Sequence, residues 1–326
     1  MLSYGEFINK INQLEEANIL LTALKFKIFT VLEKKSLAAT QVAKKAGTSA
    51  KETAVLLNVL VAMGALKRSG EKFSNTSETY KNFCESSPHY KLGTVMLKLE
   101  NRDEFSQLNQ IIQNGRNLED YAGGDDPEFR RKFTYAMHER SQLYSGPIAN
   151  FVARKPVGRL LDLGGGPGSY SAAILKVDKN AEATILDRAS AINVGQEIHQ
   201  KSKVFRRMQF QEGDLFDSQW PSGFDTVLFS NILHIYNPQQ NKILLKKIHR
   251  VLEKTGRLVI VDLFMHKNKT TPYEAVCFSL TMLLFTETGK SYTFEECKVL
   301  LKATGFSAFK TFRIGNGSSL IEARKK

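Results

Sequence analysis

Leu20, Leu24, Ile28 and Val31 recur at helical spacing, with Leu21 and Leu32 widening the stripe, and predict an amphipathic helix early in the chain. A shorter helix is expected over residues 37–46, stopping at Gly47. The next opens at Ser49-Ala50-Lys51-Glu52, a capping-box spacing, and closes at Gly64. Residues 65–68 and 72–74 flank Ser69-Gly70-Glu71 and read as a short hairpin. Helix, helix, helix, hairpin outlines a winged helix. Its second partner helix, residues 52–63, is apolar almost all round with Lys51 as its only base, so it is expected to be buried on several sides and to pack against protein rather than read a DNA groove.

Amphipathic helical patterning continues from Phe83 to Asn150, broken at Asn114-Gly115 and at Gly123-Gly124-Asp125-Asp126-Pro127. From Gly158 onward, short β-branched or leucine-rich runs alternate with helical patterns, the mark of a parallel sheet wrapped by helices. Strands are expected at 159–163, 183–186, 208–211, 226–230, 257–263, 309–314 and 319–323. Only Gly315-Asn316-Gly317 separates the last two, too little for a crossover helix, so they must pair antiparallel. The fold class is therefore α/β, a Rossmann-like sheet with an antiparallel final hairpin behind a mostly helical N-terminal domain. The division expected is 1–100 for the winged helix, 101–155 for a helical connector, and 156–326 for the sheet domain.

With 326 residues and 42% hydrophobic content the chain can bury an ample core. No apolar run approaches the about 20 residues of a membrane span, and the opening residues lack a signal-peptide core. A cytoplasmic location is the default expectation. Cys84, Cys277 and Cys297 are far apart and in no paired spacing, so neither a disulfide framework nor a metal site is expected. The formal charge of +13 favours an acidic partner, but the lysines are dispersed and no nucleic-acid partner is expected.

The run Leu160-Leu161-Asp162-Leu163 leads into Gly164-Gly165-Gly166-Pro167-Gly168, with a helix beginning near Ser169. Glycines there let the backbone approach a ligand at a strand's carboxyl end, where open α/β sheets bind cofactors. A dinucleotide loop would want glycine where Ser169 stands, and Pro167 stiffens the turn. Asp187 closes the second strand, and a carboxylate there can accept both hydroxyls of an adenosine ribose. Asp214, after the third strand, is placed to receive an adenine amino group, with Leu215 against the ring.

Together these motifs and Asn231-Ile232-Leu233-His234 resemble the S-adenosylmethionine-dependent small-molecule O-methyltransferases that include caffeic acid and hydroxyindole O-methyltransferases and antibiotic-tailoring enzymes. The resemblance covers nearly the whole chain, because that family also has an N-terminal winged-helix dimerisation domain. It implies a homodimer, S-adenosylmethionine as cofactor and a small-molecule acceptor. Asp187 would bind ribose, Asp214 and Leu215 adenine, and Gly164 the methionine part, with Gly166 and Ser230 completing the cofactor set.

The resemblance also implies that His234 is the catalytic base, a residue type suited to deprotonating a phenol whose ordinary pKa is about 10. Asp262, ending the following strand, would orient it. Ile235 stands where relatives often have Asp, Tyr236 where Trp is usual, and Ser291 where a second acid is expected; Glu287 is the nearest acid in sequence. The acceptor is expected against Phe278, Met282 and Phe285, which share a helical face. The resemblance implies that Phe133, Met137 and His138, in a connector segment that in relatives passes over the cofactor's methyl end, contribute to the active site as well. His249 and His266 read as surface or helix-end residues. Two other readings stay open: a relative that methylates carbon or uses the cofactor for non-methylating decarboxylation or hydroxylation, and a cofactor-sensing DNA-binding protein.

Overall fold

The structure, a computed structural model, describes all residues except 101–103, 116–125, 217–218 and 316. The chain divides into two compact units, Met1–Arg102 and Asp103–Lys326. Among the described residues no helix is long and apolar enough to cross a membrane.

The first unit holds α1 (Tyr4–Lys25), α2 (Ile28–Leu32), β1 (Leu37–Ala38), α3 (Ala39–Ala46), α4 (Ala50–Ala62), β2 (Leu66–Ser69), β3 (Lys72–Asn75), α5 (Ser77–Phe83) and α6 (Leu92–Glu100). The expected single helix through Ile28 is in fact two. Lys27 adopts a left-handed φ of 52° between α1 and α2, and the bend lets Ala23, Ile28, Phe29 and Leu32 enter one core. Nothing in the sequence marks it, since neither Gly nor Pro stands there. The hairpin forms with Gly70-Glu71 at its tip, and β1 adds a third strand in the order β1-β3-β2 that the sequence reading lacked. At α4 the Ser49 hydroxyl bonds the Glu52 carboxylate rather than a backbone N–H, so the capping box is incomplete. Within this chain, Thr53, Leu57 and Leu60 form the one buried face of α4, while Val55 is exposed. Along α1, Tyr4, Phe7, Ile11 and Leu14 form an exposed apolar stripe.

The second unit carries α7 (Leu108–Asn114), α8 (Pro127–Ser141), α9 (Ser145–Val152), β4 (Arg159–Leu163), α10 (Ser169–Val177), β5 (Glu182–Asp187), α11 (Ala189–His199), β6 (Met208–Glu212), β7 (Phe224–Ser230), α12 (Pro238–Val251), β8 (Leu252–Asp262), α13 (Tyr273–Phe285), α14 (Phe294–Ala303), β9 (Phe306–Gly315) and β10 (Ser318–Lys325). Asp126 caps α8 by accepting from Phe129 N–H at 2.8 Å, with Pro127 in the first turn. The break expected at 123–125 and the hairpin residue Asn316 lie outside the described residues.

The strands order as β6-β5-β4-β7-β8-β10-β9; β4 to β8 are parallel, while β10 is antiparallel to both neighbours. Alternation divides the core between the two faces. Leu161, Leu163, Val227, Phe229, Leu258 and Ile260 pack toward α12 and α14. Leu160, Ile185, Leu228, Val259 and Val261 pack with residues of α9, α10 and α11. The strand expected from residue 257 starts earlier, at Leu252, directly after α12, and ends at Asp262. Because the central strands share one direction, Leu163, Asp187, Glu212, Ser230 and Asp262 all end on one rim, and that rim carries the candidate site.

Candidate active site

The glycine loop turns sharply off β4. Gly164, Gly166 and Gly168 have φ of 62°, 54° and 70°, a region L side chains enter at a cost, and Gly164 N–H donates to Leu186 O at 2.8 Å. A side chain at Gly165 would collide with the Asp162 carboxyl, whereas nothing lies within 4 Å of one built at Gly166. The loop is closed below and open above. Beneath it, Asp162 is fully buried: Ser171 donates to Oδ2 at 2.7 Å, Oδ1 has no partner among the described residues, and burial pushes its pKa up to about 7.

Asp187 receives Gly166 N–H on Oδ2 and Arg188 N–H on Oδ1, both at 2.7 Å, so the second strand's terminal acid also holds the glycine loop. Burial raises its pKa, and the two backbone donors and the charges of Arg188 and Arg130 oppose that rise. Asp214 Oδ1 accepts from Phe216 N–H at 2.7 Å, and Leu215 beside it is buried. Lys247 on α12, unnoticed in the sequence, donates to Leu215 O at 2.8 Å and Phe216 O at 3.0 Å and pins this segment. Its ammonium also lies 4.3 Å from the Trp220 ring centroid.

Ser230 ends β7 in a buried position, and Asn231 follows with a left-handed φ of 56°, a conformation asparagine tolerates better than most residues. Tyr170, at the start of α10, hydrogen-bonds Asn231, and burial pushes the phenol up to about 12. This bend leads into the short 3₁₀ turn Leu233–Ile235 that carries His234. His234 Nδ1 is 2.7 Å from Asp262 Oδ1, and Asp262 Oδ2 accepts the backbone N–H of His234 at 3.3 Å. Leu263 N–H donates to Oδ1 at 2.7 Å and completes the setting of the carboxylate. Gly289 packs against the carbonyl of His234, where a side chain would collide, and Lys290 N–H donates to it at 2.9 Å.

The Phe278 ring of α13 stands edge-on to the imidazole, with centroids 4.8 Å apart at 87°. Met282 is buried one turn further on. Ser291, where a second acid was expected, is buried and donates to Ala275 O at 3.0 Å, while Glu287 is exposed. On α8, Met137 is half-buried. His138 turns toward the glycine loop: its Nδ1 is 2.8 Å from Ser169 Oγ and its ring meets the edge of His199 at 5.9 Å. Burial, with His138 and Lys176 nearby, pushes His199 down to about 4. Arg131 grips Glu197 of α11 with two 2.8 Å bonds and Tyr135 adds a third at 2.7 Å, fastening α8 beside the loop. Outside the site, His249 stands in the last turn of α12, half-buried against Phe306, and His266 is exposed with Nδ1 2.9 Å from Thr271 Oγ1.

Two family signatures match the chain: an O-methyltransferase domain over residues 105–307 and an O-methyltransferase dimerisation domain over residues 11–83. The tetracenomycin polyketide synthesis 8-O-methyl transferase TcmO of Streptomyces glaucescens is 25% identical over 94% of this chain and 92% of its own length. The 3-hydroxy-5-methyl-1-naphthoate 3-O-methyltransferase of Streptomyces sahachiroi is 24% identical over 91% of this chain and 88% of its own. The crystal structure of human N-acetylserotonin methyltransferase in complex with SAM has the same fold, with a TM-score of 0.84, 22% identity, and coverage of 99% of this chain and 97% of that one. The rim chemistry and the two domain matches agree, and the chain belongs to the S-adenosylmethionine-dependent O-methyltransferase family.

Proposed function

We propose that the enzyme methylates a hydroxyl group on an aromatic small molecule, with His234 taking the hydroxyl proton and Asp262 orienting His234. The 2.7 Å contact between His234 Nδ1 and Asp262 Oδ1 carries this reading. A carboxylate at Nδ1 selects the tautomer protonated there and leaves the Nε2 lone pair for the acceptor. Once the proton has moved, the same carboxylate stabilises the imidazolium. Phe278 and Met282 would supply the acceptor's apolar wall, with Met137 and His138 from α8 on its other side. Relatives named for methylating a polyketide and a hydroxynaphthoate support an aromatic acceptor.

S-adenosylmethionine supplies an electrophilic methyl group on a sulfonium. Asp187 would accept the ribose hydroxyls, Asp214 and Leu215 would meet the adenine, and Gly164, Gly166 and Ser230 would face the methionine part. The open space above Gly166, whose N–H is held by the Asp187 carboxylate, supports that fit.

Incubation with a donor bearing a deuterated methyl group and a panel of hydroxyarenes tests the reaction. Label on oxygen is expected. Label on carbon, or acceptor consumed without label, would overturn it in favour of the C-methylating or non-methylating chemistry. The dimerisation domain and the exposed stripe of α1 support a homodimer burying more than about 2,000 Å². A monomer by light scattering at micromolar concentration contradicts that assembly. A cytoplasmic location goes with this reading, and cell fractionation against a cytosolic marker tests it.

A further inference from the structure

We infer that Arg140 receives an anionic substituent of the acceptor, so that the substrate is a hydroxyarene carboxylate; this rests on the aromatic-acceptor reading above. Arg140 lies on the face of α8 that also presents Phe133 and Met137, four and seven residues along from the first. Its guanidinium carbon is 5.9 Å from the centroid of Phe278, the ring that stands 4.8 Å from His234. The cation and the imidazole therefore both meet Phe278, the ring proposed for the acceptor's wall.

Two other cations of α8 are taken up by carboxylates: Arg131 by Glu197, and Lys132 by Glu128 at 2.9 Å. Among the described residues no carboxylate pairs with Arg140, and the Phe278 contact leaves its guanidinium donors free. Its charge is also felt by Tyr170, whose hydroxyl hydrogen-bonds Asn231, three residues before His234. A guanidinium presents paired N–H donors in the geometry of a carboxylate, which makes an aryl carboxylate the best matched occupant. The carboxylate would anchor the ring system while its hydroxyl meets His234.

The test is calorimetric titration of the protein, saturated with S-adenosylhomocysteine, with hydroxynaphthoates carrying the carboxylate at each ring position and with their methyl esters. At least one acid should bind 10- to 100-fold more tightly than its ester, the range for a charge-assisted hydrogen bond. Arg140→Gln should bring that ratio to within about threefold, and Arg140→Lys, a cation without the fork, should keep part of it. The inference is overturned if no acid outbinds its ester in the unaltered protein, which needs no variant to fold. It is equally overturned if the preference survives Arg140→Gln, which would make the arginine only a cap on Phe278. Methyl transfer is scored separately. An acid that binds through Arg140 but is never methylated contradicts the proposed reaction and not this site; a methylated neutral arene with no acid preference does the reverse.

Discussion

Asp262 holds His234 at two points, accepting from the imidazole at 2.7 Å and from the same residue's backbone N–H at 3.3 Å, so ring and main chain are fixed by one carboxylate. Leu263 N–H donates to that carboxylate as well, so its loss touches three donors. Asp262→Asn should lower turnover by about 10² to 10⁴, because an amide leaves the imidazolium unsupported and allows the wrong tautomer. With Ser291 committed to Ala275 O, no second acid stands ready at that position. Steady-state kinetics on any accepted hydroxyarene checks this, and a variant within threefold of the original rate would remove Asp262 from the mechanism.

Asp187 tests the cofactor assignment. Its two oxygens already take two backbone N–H groups, and each retains a lone pair for a ribose hydroxyl. Asp187→Ala should weaken S-adenosylhomocysteine binding by about 1.5 to 3 kcal/mol, the worth of hydrogen bonds to a charged group. Calorimetry with unchanged affinity would falsify the ribose role.

Asp162 imposes a pH dependence on stability with an unusual sign. Its folded pKa, near 7, stands above the ordinary carboxylate value, so the folded protein holds a proton that the unfolded chain releases. Its contribution is complete below the unfolded pKa of about 4 and is lost as pH rises toward 7. His199, pushed down to about 4, acts in the opposite direction, costing stability as pH falls below 6.5. The difference between the original protein and Asp162→Asn isolates the acid. The variant should gain on the original by an amount on the order of a few kcal/mol between pH 4 and pH 8. Denaturant melts across that range giving a constant difference would show that Asp162 does not hold the proton.

The parts of this account that depend on short stretches of chain were legible in the sequence. The glycine loop and Asp187 announce themselves by residue type at a strand end, and the antiparallel last pair follows from the brevity of the 315–317 turn. Features that depend on two elements meeting were not. The Arg131 and Tyr135 grip on Glu197 joins residues more than sixty apart, and the bond between Tyr170 and Asn231 spans a strand crossover. The resemblance alone places His138 at the acceptor, and no local signal shows that a hydroxyl at Ser169 takes up its Nδ1. The bend at Lys27 escaped because the apolar spacing continues through it, and α4 is so apolar that its exposed Val55 could not be told from core.

The most direct test of the central claim compares His234→Ala with the unaltered enzyme on a series of phenolic acceptors of increasing acidity, with S-adenosylhomocysteine affinity measured alongside. A base is needed only while the acceptor keeps its proton, so the rate should fall by about 10² to 10⁴ on acceptors un-ionised at the assay pH. The loss should shrink toward unity on those already ionised, with cofactor affinity unchanged throughout. An undiminished rate on an un-ionised acceptor, or a loss of the same size across the whole series, would contradict His234 as the base.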